Sequence, residues 1–225
     1  MVVSSVGNFT LEQVNKKLLK YFGDISNTSK SLTLPRISKR TGFVEQLEKD
    51  CHQSHVIVGT EGCSYNDPDK GALVLLNNYF GGPALNSRLN MEIREKHGYA
   101  YSIDSSFQAY SDTGIISIYY GTDVKNLIKT RKLVFRELEK LTSVKLSSLK
   151  LHQAKEQLKG FVALGMESKV GLMLGLGRSF MMNDTVETVK ESLDKIDAIS
   201  SEELLEVANK YMDPKSMSEL TYSAK

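Results

Sequence analysis

The sequence predicts an α+β fold in which helices pack on one face of a mostly antiparallel sheet. Strand patterns and helix patterns occur in separate groups along the chain, and a hairpin pattern lies near its middle. A doubly wound parallel sheet needs strands and helices that alternate strictly, so that class is disfavoured. The 225 residues are 40% apolar and 25% charged, which is the composition of an ordinary globular protein.

The charge balance gives no reason to expect a nucleic acid or an anionic membrane as partner. There are 29 basic and 27 acidic residues, for a formal net charge of +2. The most apolar stretch, 162–182, is interrupted by Glu167, Lys169 and Arg178, so no membrane span is predicted. No signal-peptide pattern follows Met1.

The two cysteines, Cys51 and Cys63, are interpreted as free thiols. They flank a predicted strand at 53–60, and a straight strand of eight residues separates its ends by roughly 26 Å, too far for a disulfide. Free thiols favour a reducing compartment. The compartment itself is not fixed by the sequence: the cytoplasm is weakly favoured and the periplasm stays open.

The start of the chain predicts a strand at 2–6 and then a helix. The helix begins at the capping box formed by Thr10 and Gln13, and it ends at Gly23. A chain that starts directly at a strand leads us to expect a fragment of a longer protein.

A composition change follows the first helix. Residues 24–42 are rich in Ser, Thr and Lys and show little periodicity, which indicates a linker. We therefore expect residues 1–23 to be the tail of a preceding domain and residues 43–225 to be the main domain.

The main domain shows strands of period two and amphipathic helices. One helix is predicted to be capped by Asp123 and to run to Leu141. In chain order, the predicted elements are strands 43–48 and 53–60, helices 68–80 and 84–96, strands 99–109 and 114–122, helices 123–141, 147–164, 167–181, 185–193 and 200–211, and strand 217–223.

The most informative stretch is Asn86–Ser102, with the sequence NSRLNMEIREKHGYAYS. This signature stretch resembles the second-half signature of the pitrilysin/insulinase-type zinc metallopeptidases, the M16 or mitochondrial-processing-peptidase-like family. Other stretches fit the family in the same order along the chain, namely 6–9, 20–24, 111–114, 136–141, 154–158, Glu167, Gly177, 199–204 and 208–211. The resemblance therefore covers nearly the whole chain.

The resemblance implies a protein of two similar halves that close around an extended peptide. In this family the first half holds zinc through an inverted His-x-x-Glu-His motif, and the second half usually lacks zinc ligands. No His-x-x-Glu-His occurs in this sequence. The resemblance thus identifies residues 43–225 as the C-terminal, substrate-binding half and residues 1–23 as the tail of the zinc half. Zinc is expected in the missing half and not in this chain, which alone is expected to be inactive.

The resemblance also implies two substrate-binding residues, Arg94 and Tyr101, seven positions apart in the signature stretch. A guanidinium and a phenol can donate hydrogen bonds to a peptide carbonyl as negative charge develops on its oxygen. Gly98 between them predicts a reversal that lets both side chains point to the same sheet face. The plain alternatives are an Arg that complements a helix dipole and a Tyr that packs at a strand start.

The histidines give weaker candidates. His52 and His55 have a ligand-like spacing, but on a strand they point to opposite faces, so a zinc site with Cys51 and Cys63 is disfavoured. His97 lies in the turn between the two expected substrate-binding residues, where it either contacts substrate or is an ordinary surface side chain.

Two functions from different classes remain open. The first is the substrate-binding half of an active zinc endopeptidase, with a peptide as substrate and a zinc-bearing half, on the same chain or a partner subunit, as the other component. The second is a catalytically inactive family member that acts as a scaffold or assembly subunit. Arg94 and Tyr101 favour the first. The sequence leaves a homo-oligomer open in either case.

Overall fold

The computed structural model describes residues 1–25 and 42–224, so most of the predicted linker at 24–42 lies outside the described residues. The chain divides into two compact units. One consists of Met1–Ser38 and Ala163–Val186, and the other of Lys39–Val162 and Glu187–Lys225.

The larger unit contains a five-stranded sheet with the strand order β1-β5-β2-β4-β3. β1 and β5 are parallel, and every other neighbouring pair is antiparallel, so the predicted mostly antiparallel sheet is confirmed. The strands are β1 Val44–Lys49, β2 Ser54–Gly62, β3 Ser102–Ala109, β4 Gly114–Thr122 and β5 Ser218–Ala224.

Helices cover one face of this sheet. α2 packs against β3, and α7 packs against β2 and α3. Seven α-helices lie in the described residues, namely α1 Leu11–Phe22, α2 Lys70–Gly81, α3 Leu127–Ser143, α4 Ser148–Glu167, α5 Lys169–Asn183, α6 Val189–Ala198 and α7 Ser201–Tyr211. α2 buries most of its side chains, as expected of a helix that is apolar on nearly all sides.

The core follows from the two-residue period of the strands. Val56 and Val58 of β2 are fully buried beside Tyr120 and Ile118 of β4 on the helix-covered face. Ile57, between the two valines, points to the other face and is 48% exposed. A one-residue shift in register would exchange these faces, so the core fixes the register.

A buried ion pair joins the signature stretch to α3. Arg88 Nε donates to Glu137 Oε2 at 2.6 Å, and Lys140 Nζ donates to Oε1 at 2.7 Å. The Glu137 side chain is fully buried. Burial raises the pKa of this carboxyl, but the bond from Lys140 and the charge of Arg88 outweigh burial and hold the pKa below its usual range. Glu137 is therefore a carboxylate that fixes Arg88.

The smaller unit contains α1, α5 and the segment before α1. The Thr10–Gln13 capping box predicted at the start of α1 is present. The predicted strand at 2–6 is wrong, because a strand needs a hydrogen-bonded partner and these residues pair with no strand in the described part of the chain. Instead, Ser4 Oγ donates to the Met173 carbonyl oxygen at 2.7 Å.

Within residues 1–25 and 42–224, no single helix is both long enough and apolar enough to cross a membrane. The bent pair of α4 and α5 reaches that length and apolarity only when the two helices are taken together.

Candidate substrate-binding site

The helical part of the signature stretch is a π-helical turn at Asn90–Glu95. Its amides reach one residue further back than in an α-helix, as in the bond from Lys96 N to Met91 O at 3.1 Å. The predicted helix at 84–96 starts too early, since residues 84–87 are turn and bend, and its Asn90–Glu95 part is π-helical. Single π-turns are rare and occur frequently at functional sites.

Arg94 lies on this π-turn, near its C-terminal end. Its side chain is 44% exposed, and its Nε is 3.9 Å from Glu95 Oε1, at the outer limit of an ion pair. Such a weak partner leaves the guanidinium free to bind another group.

Gly98 reverses the chain after the π-turn. It has a left-handed φ of +63°, and its amide donates to the Arg94 carbonyl oxygen at 2.9 Å. The next amide, of Tyr99, donates to the Ile93 carbonyl oxygen at 3.2 Å. A left-handed glycine of this kind closes a helix end, so the predicted reversal is confirmed.

Replacing Gly98 by alanine is expected to lower the free energy of unfolding by about 1 kcal/mol, because an L-residue is strained at positive φ. The space around Gly98 is open, so the cost comes from the backbone alone. The matched control is Gly160→Ala in α4, which also has open space and is expected to stabilise by roughly 0.5–1 kcal/mol. Denaturant unfolding of both variants gives the comparison, and equal effects would contradict the argument.

Tyr101 stands directly before β3 and is fixed by the end of β4. Its amide donates to the Gly121 carbonyl oxygen at 2.9 Å, and its hydroxyl donates to Asp123 Oδ1 at 2.9 Å. The side chain is nevertheless 62% exposed. The hydrogen bond to the Asp123 carboxylate, and its charge, raise the pKa of the Tyr101 phenol above its ordinary value. Tyr101 is therefore a neutral, oriented side chain.

An open pocket of about 420 Å³ lies beside Tyr101. It forms where β2 begins and β4 ends, next to the start of β3. We call it the strand-end pocket, and its lining residues are Cys51, His52, Gln53, His55, Tyr101 and Asp123.

Most of the strand-end pocket was not predicted as a site. Asp123 was expected to cap a helix, but its side chain makes no capping hydrogen bond. Gln53 was not predicted as a site residue. Its side chain lies 3.4 Å from where a Cβ on Gly121 would stand, so the lack of a side chain on Gly121 leaves room for Gln53. His55 Nδ1 and Tyr119 Oη are 2.8 Å apart, which fixes that imidazole.

The remaining candidates lie apart from this arrangement. Of the two expected substrate-binding residues, Tyr101 lines the strand-end pocket and Arg94 does not. His97 stacks on Tyr99 with ring centroids 5.3 Å apart.

The cysteines and histidines do not form a metal centre. Cys51, His52 and His55 line one pocket, but in the described ranges no group of three or more His, Cys, Asp or Glu residues is arranged to hold a metal ion. Both cysteines are free thiols, and burial raises the pKa of Cys63 to about 11. The donor set of the described residues therefore does not fit zinc.

Comparison with known proteins now identifies the family. Residues 1–158, more than half of the chain, match the family model of the peptidase M16 inactive domain. The chain is 29% identical over 202 residues to the uncharacterized zinc protease YmxG of Bacillus subtilis, covering 90% of this chain and 49% of the relative. It spans about half the length of the curated relatives it matches.

Solved structures agree on the fold. A peptidase M16 inactive domain from Pseudomonas fluorescens superposes with a TM-score of 0.78 at 21% identity, over 85% of this chain and 46% of that one. A protease from Helicobacter pylori gives a TM-score of 0.83 at 19% identity, over 97% and 53%. With the family match and the signature stretch, these findings show that the chain belongs to the peptidase M16 family and corresponds to its inactive domain.

Proposed function

We propose that this chain is the substrate-binding half of a zinc endopeptidase that cleaves extended peptides in a chamber formed with a zinc-bearing half. One observation supports this most directly. Tyr101, near the end of the signature stretch, lines an open pocket, and its backbone amide is hydrogen-bonded to β4. An exposed tyrosine held in one orientation suits ligand binding better than packing.

The two halves would have different roles, one in holding zinc and the other in binding the peptide. This chain offers no metal site among its described residues, and we assign the zinc and the activated water to the other half. The chain itself would bind and orient the peptide. Arg94 would supply a fixed positive charge to the reacting carbonyl, and the strand-end pocket would receive the neighbouring part of the peptide.

The organisation of the chain is part of the same proposal. Residues 1–23 would be the tail of the zinc-bearing half, residues 24–42 the linker, and residues 43–225 the substrate-binding domain. His97 would contact substrate only at the edge of the site, since its ring is stacked on Tyr99.

The test is a cleavage assay on the complete protein, in which this chain is combined with its zinc-bearing half on one polypeptide or as a separate subunit. The substrate is an unstructured peptide with a fluorophore and a quencher. We expect cleavage that a chelator abolishes and zinc restores, and no cleavage by this chain alone. A complete protein that binds no zinc and cleaves nothing would overturn the proposal and favour the scaffold function.

A further inference from the structure

We infer that the strand-end pocket binds one basic side chain of the peptide, a lysine or an arginine, and that Asp123 is the residue that selects it. This inference rests on the proposed function and narrows the class of its substrates. It concerns one side chain beside the scissile bond and leaves the expected roles of Arg94 and Tyr101 on the peptide backbone unchanged.

Asp123 supplies the only permanent charge among the described residues that line the strand-end pocket. The other five lining residues are a thiol, two imidazoles, an amide and a phenol. The Asp123 side chain is 36% exposed, so its carboxylate is open to a ligand and still partly shielded from water. An acidic peptide side chain would meet a like charge here, and an apolar one would desolvate polar groups without compensation. The lining therefore favours a basic side chain.

The Asp123 carboxylate also has an oxygen available for a ligand. Its Oδ1 accepts a hydrogen bond from the Tyr101 hydroxyl at 2.9 Å. Its Oδ2 lies 3.8 Å from Lys125 Nζ, and the Lys125 side chain is 79% exposed, so this contact is weak. An ionised carboxylate has about four lone-pair sites. A peptide ammonium or guanidinium can therefore bind at Oδ2 while Oδ1 keeps its bond to Tyr101.

The turn that follows Asp123 does not use this carboxylate. Asp123 is at the N-cap position of a 3₁₀ turn at Val124–Asn126, where an aspartate ordinarily accepts a hydrogen bond from the turn, but its side chain makes no such bond. Asp213 precedes a similar turn at Pro214–Ser216, and its carboxylate accepts from Lys215 N at 3.0 Å. The Asp123 carboxylate is instead directed to the wall of the strand-end pocket.

The walls of the strand-end pocket suit a long aliphatic chain with a charged end. The ring of Tyr101 is largely exposed, and the ring of His55 is fixed by Tyr119 Oη at 2.8 Å. Methylene groups of lysine or arginine pack well on such flat rings, and the cation gains from a nearby phenol ring. The volume of about 420 Å³ falls within the range of ligand-binding pockets, so it has room for one such side chain.

A metal ion is not the cation that this lining selects. In residues 1–25 and 42–224, no group of three or more His, Cys, Asp or Glu residues is arranged to hold one. An ammonium or guanidinium needs fewer ligands, because a charge-assisted hydrogen bond to one carboxylate already holds it. The Gln53 amide oxygen is a second acceptor in the same wall.

The experiment uses the complete protein and quenched peptides that differ at one position. Lysine, methionine or glutamate is placed in turn at each position flanking the scissile bond of an otherwise uncharged peptide with an acetylated N-terminus. At one position we expect kcat/KM to be about 3-fold to 10-fold higher for lysine than for methionine, and lowest for glutamate. The difference should appear in KM, because the carboxylate binds the ground state and the transition state alike.

Two variants test the role of Asp123. Asp123→Asn removes the charge and retains an oxygen that can accept from Tyr101, so the lysine-to-methionine ratio of kcat/KM is expected to fall to within about 2-fold of unity. Asp123→Lys reverses the charge and is expected to make glutamate the preferred residue at that position. Thermal melting checks that both variants fold. A merely structural role for Asp123 would lower kcat/KM equally for all three peptides.

Asp112→Asn is the matched control. Asp112 lies in the loop that joins β3 to β4, at the opposite end of these strands from the strand-end pocket. The substitution changes the net charge by the same amount, so the lysine-to-methionine ratio should keep its wild-type value. An equal fall in Asp112→Asn would mean that net charge sets the preference, and it would overturn the inference.

Two further results would overturn the inference and leave the proposed function intact. One is a wild-type protein that cleaves the lysine, methionine and glutamate peptides equally at every position. The other is a preference for lysine that Asp123→Asn retains in full. If the complete protein cleaves no peptide at all, the proposed function fails and this inference fails with it.

Discussion

Replacing Arg94 by alanine in the proposed endopeptidase is expected to lower kcat about 100-fold to 1000-fold, with a small change in KM. Among the described residues Arg94 has only a weak contact, with Glu95 at 3.9 Å, so its guanidinium can face a developing oxyanion. A guanidinium stays protonated at any working pH and donates from a rigid fork. Its interaction strengthens as charge builds on the carbonyl oxygen, which is why kcat and not KM responds.

Single-turnover kinetics on the quenched peptide measures this effect, because it separates the cleavage step from binding and product release. Arg94→Lys retains the charge but loses the fork, and an intermediate rate is expected. Lys96→Ala is the control on the same turn, since Lys96 pairs with Glu92 and should be dispensable. An Arg94→Ala enzyme that keeps more than a tenth of wild-type kcat would exclude a role for Arg94 in stabilising the transition state.

Replacing Arg88 by alanine is expected to destabilise the protein by about 3 kcal/mol, the largest stability effect expected in the signature stretch. The substitution leaves the carboxylate of Glu137 fully buried with only part of its compensation, from Lys140 at 2.7 Å and the more distant Arg136 at 3.5 Å. It also removes the bond from Arg88 to Tyr79 Oη at 3.4 Å. The segment just before the π-turn then loses its ion pair with α3.

Denaturant unfolding of the Arg88→Ala variant tests this, with Arg136→Ala as control. The Arg136 side chain is 47% exposed, so its loss is expected to cost at most about 1 kcal/mol.

The pH dependence of the free energy of unfolding gives a second check. The pKa of Glu137 is lowered on folding. The contribution of this carboxylate to the free energy of unfolding is therefore complete above the ordinary carboxyl pKa, and it disappears as pH falls through the pKa of the folded state. The difference in free energy of unfolding between wild type and Arg88→Ala should therefore become smaller in acid. A difference that does not change with pH would indicate that only packing was lost.

The sheet and most helices could be predicted because each has a strong local signal. Buried valines alternate in β2, and capping boxes at Thr10 and Ser200 mark the starts of α1 and α7. α6 was predicted at 185–193 and lies at Val189–Ala198, where a capping box at Thr188 starts it. The π-turn could not be predicted, since apolar spacing in the signature stretch fits an α-helix equally well. The strand at 2–6 was predicted from side-chain pattern alone, which does not reveal whether a partner strand is present.

The candidate site likewise contains residues that could be predicted from the sequence and residues that could not. Arg94 and Tyr101 were predicted from a family resemblance, and their role stays a prediction until kinetics test it. Asp123 was identified from the sequence only as a cap, because an aspartate before a helix is ordinarily one. Gln53 and Cys51 lie far from Tyr101 in the chain, and only the sheet order places the ends of β2 and β4 beside it.

The parallel pairing of β1 with β5 affects how the protein is made. β1 meets the sheet only through β5, and Phe43 N donates to Ser218 Oγ across 175 residues of sequence. A ribosome releases β1 long before it releases β5. During that interval the six exposed residues of β1 have no partner strand in the sheet, and the antiparallel core of β2, β3 and β4 can form without them. Such late, distant pairing slows folding, and it leaves a free strand edge until synthesis ends.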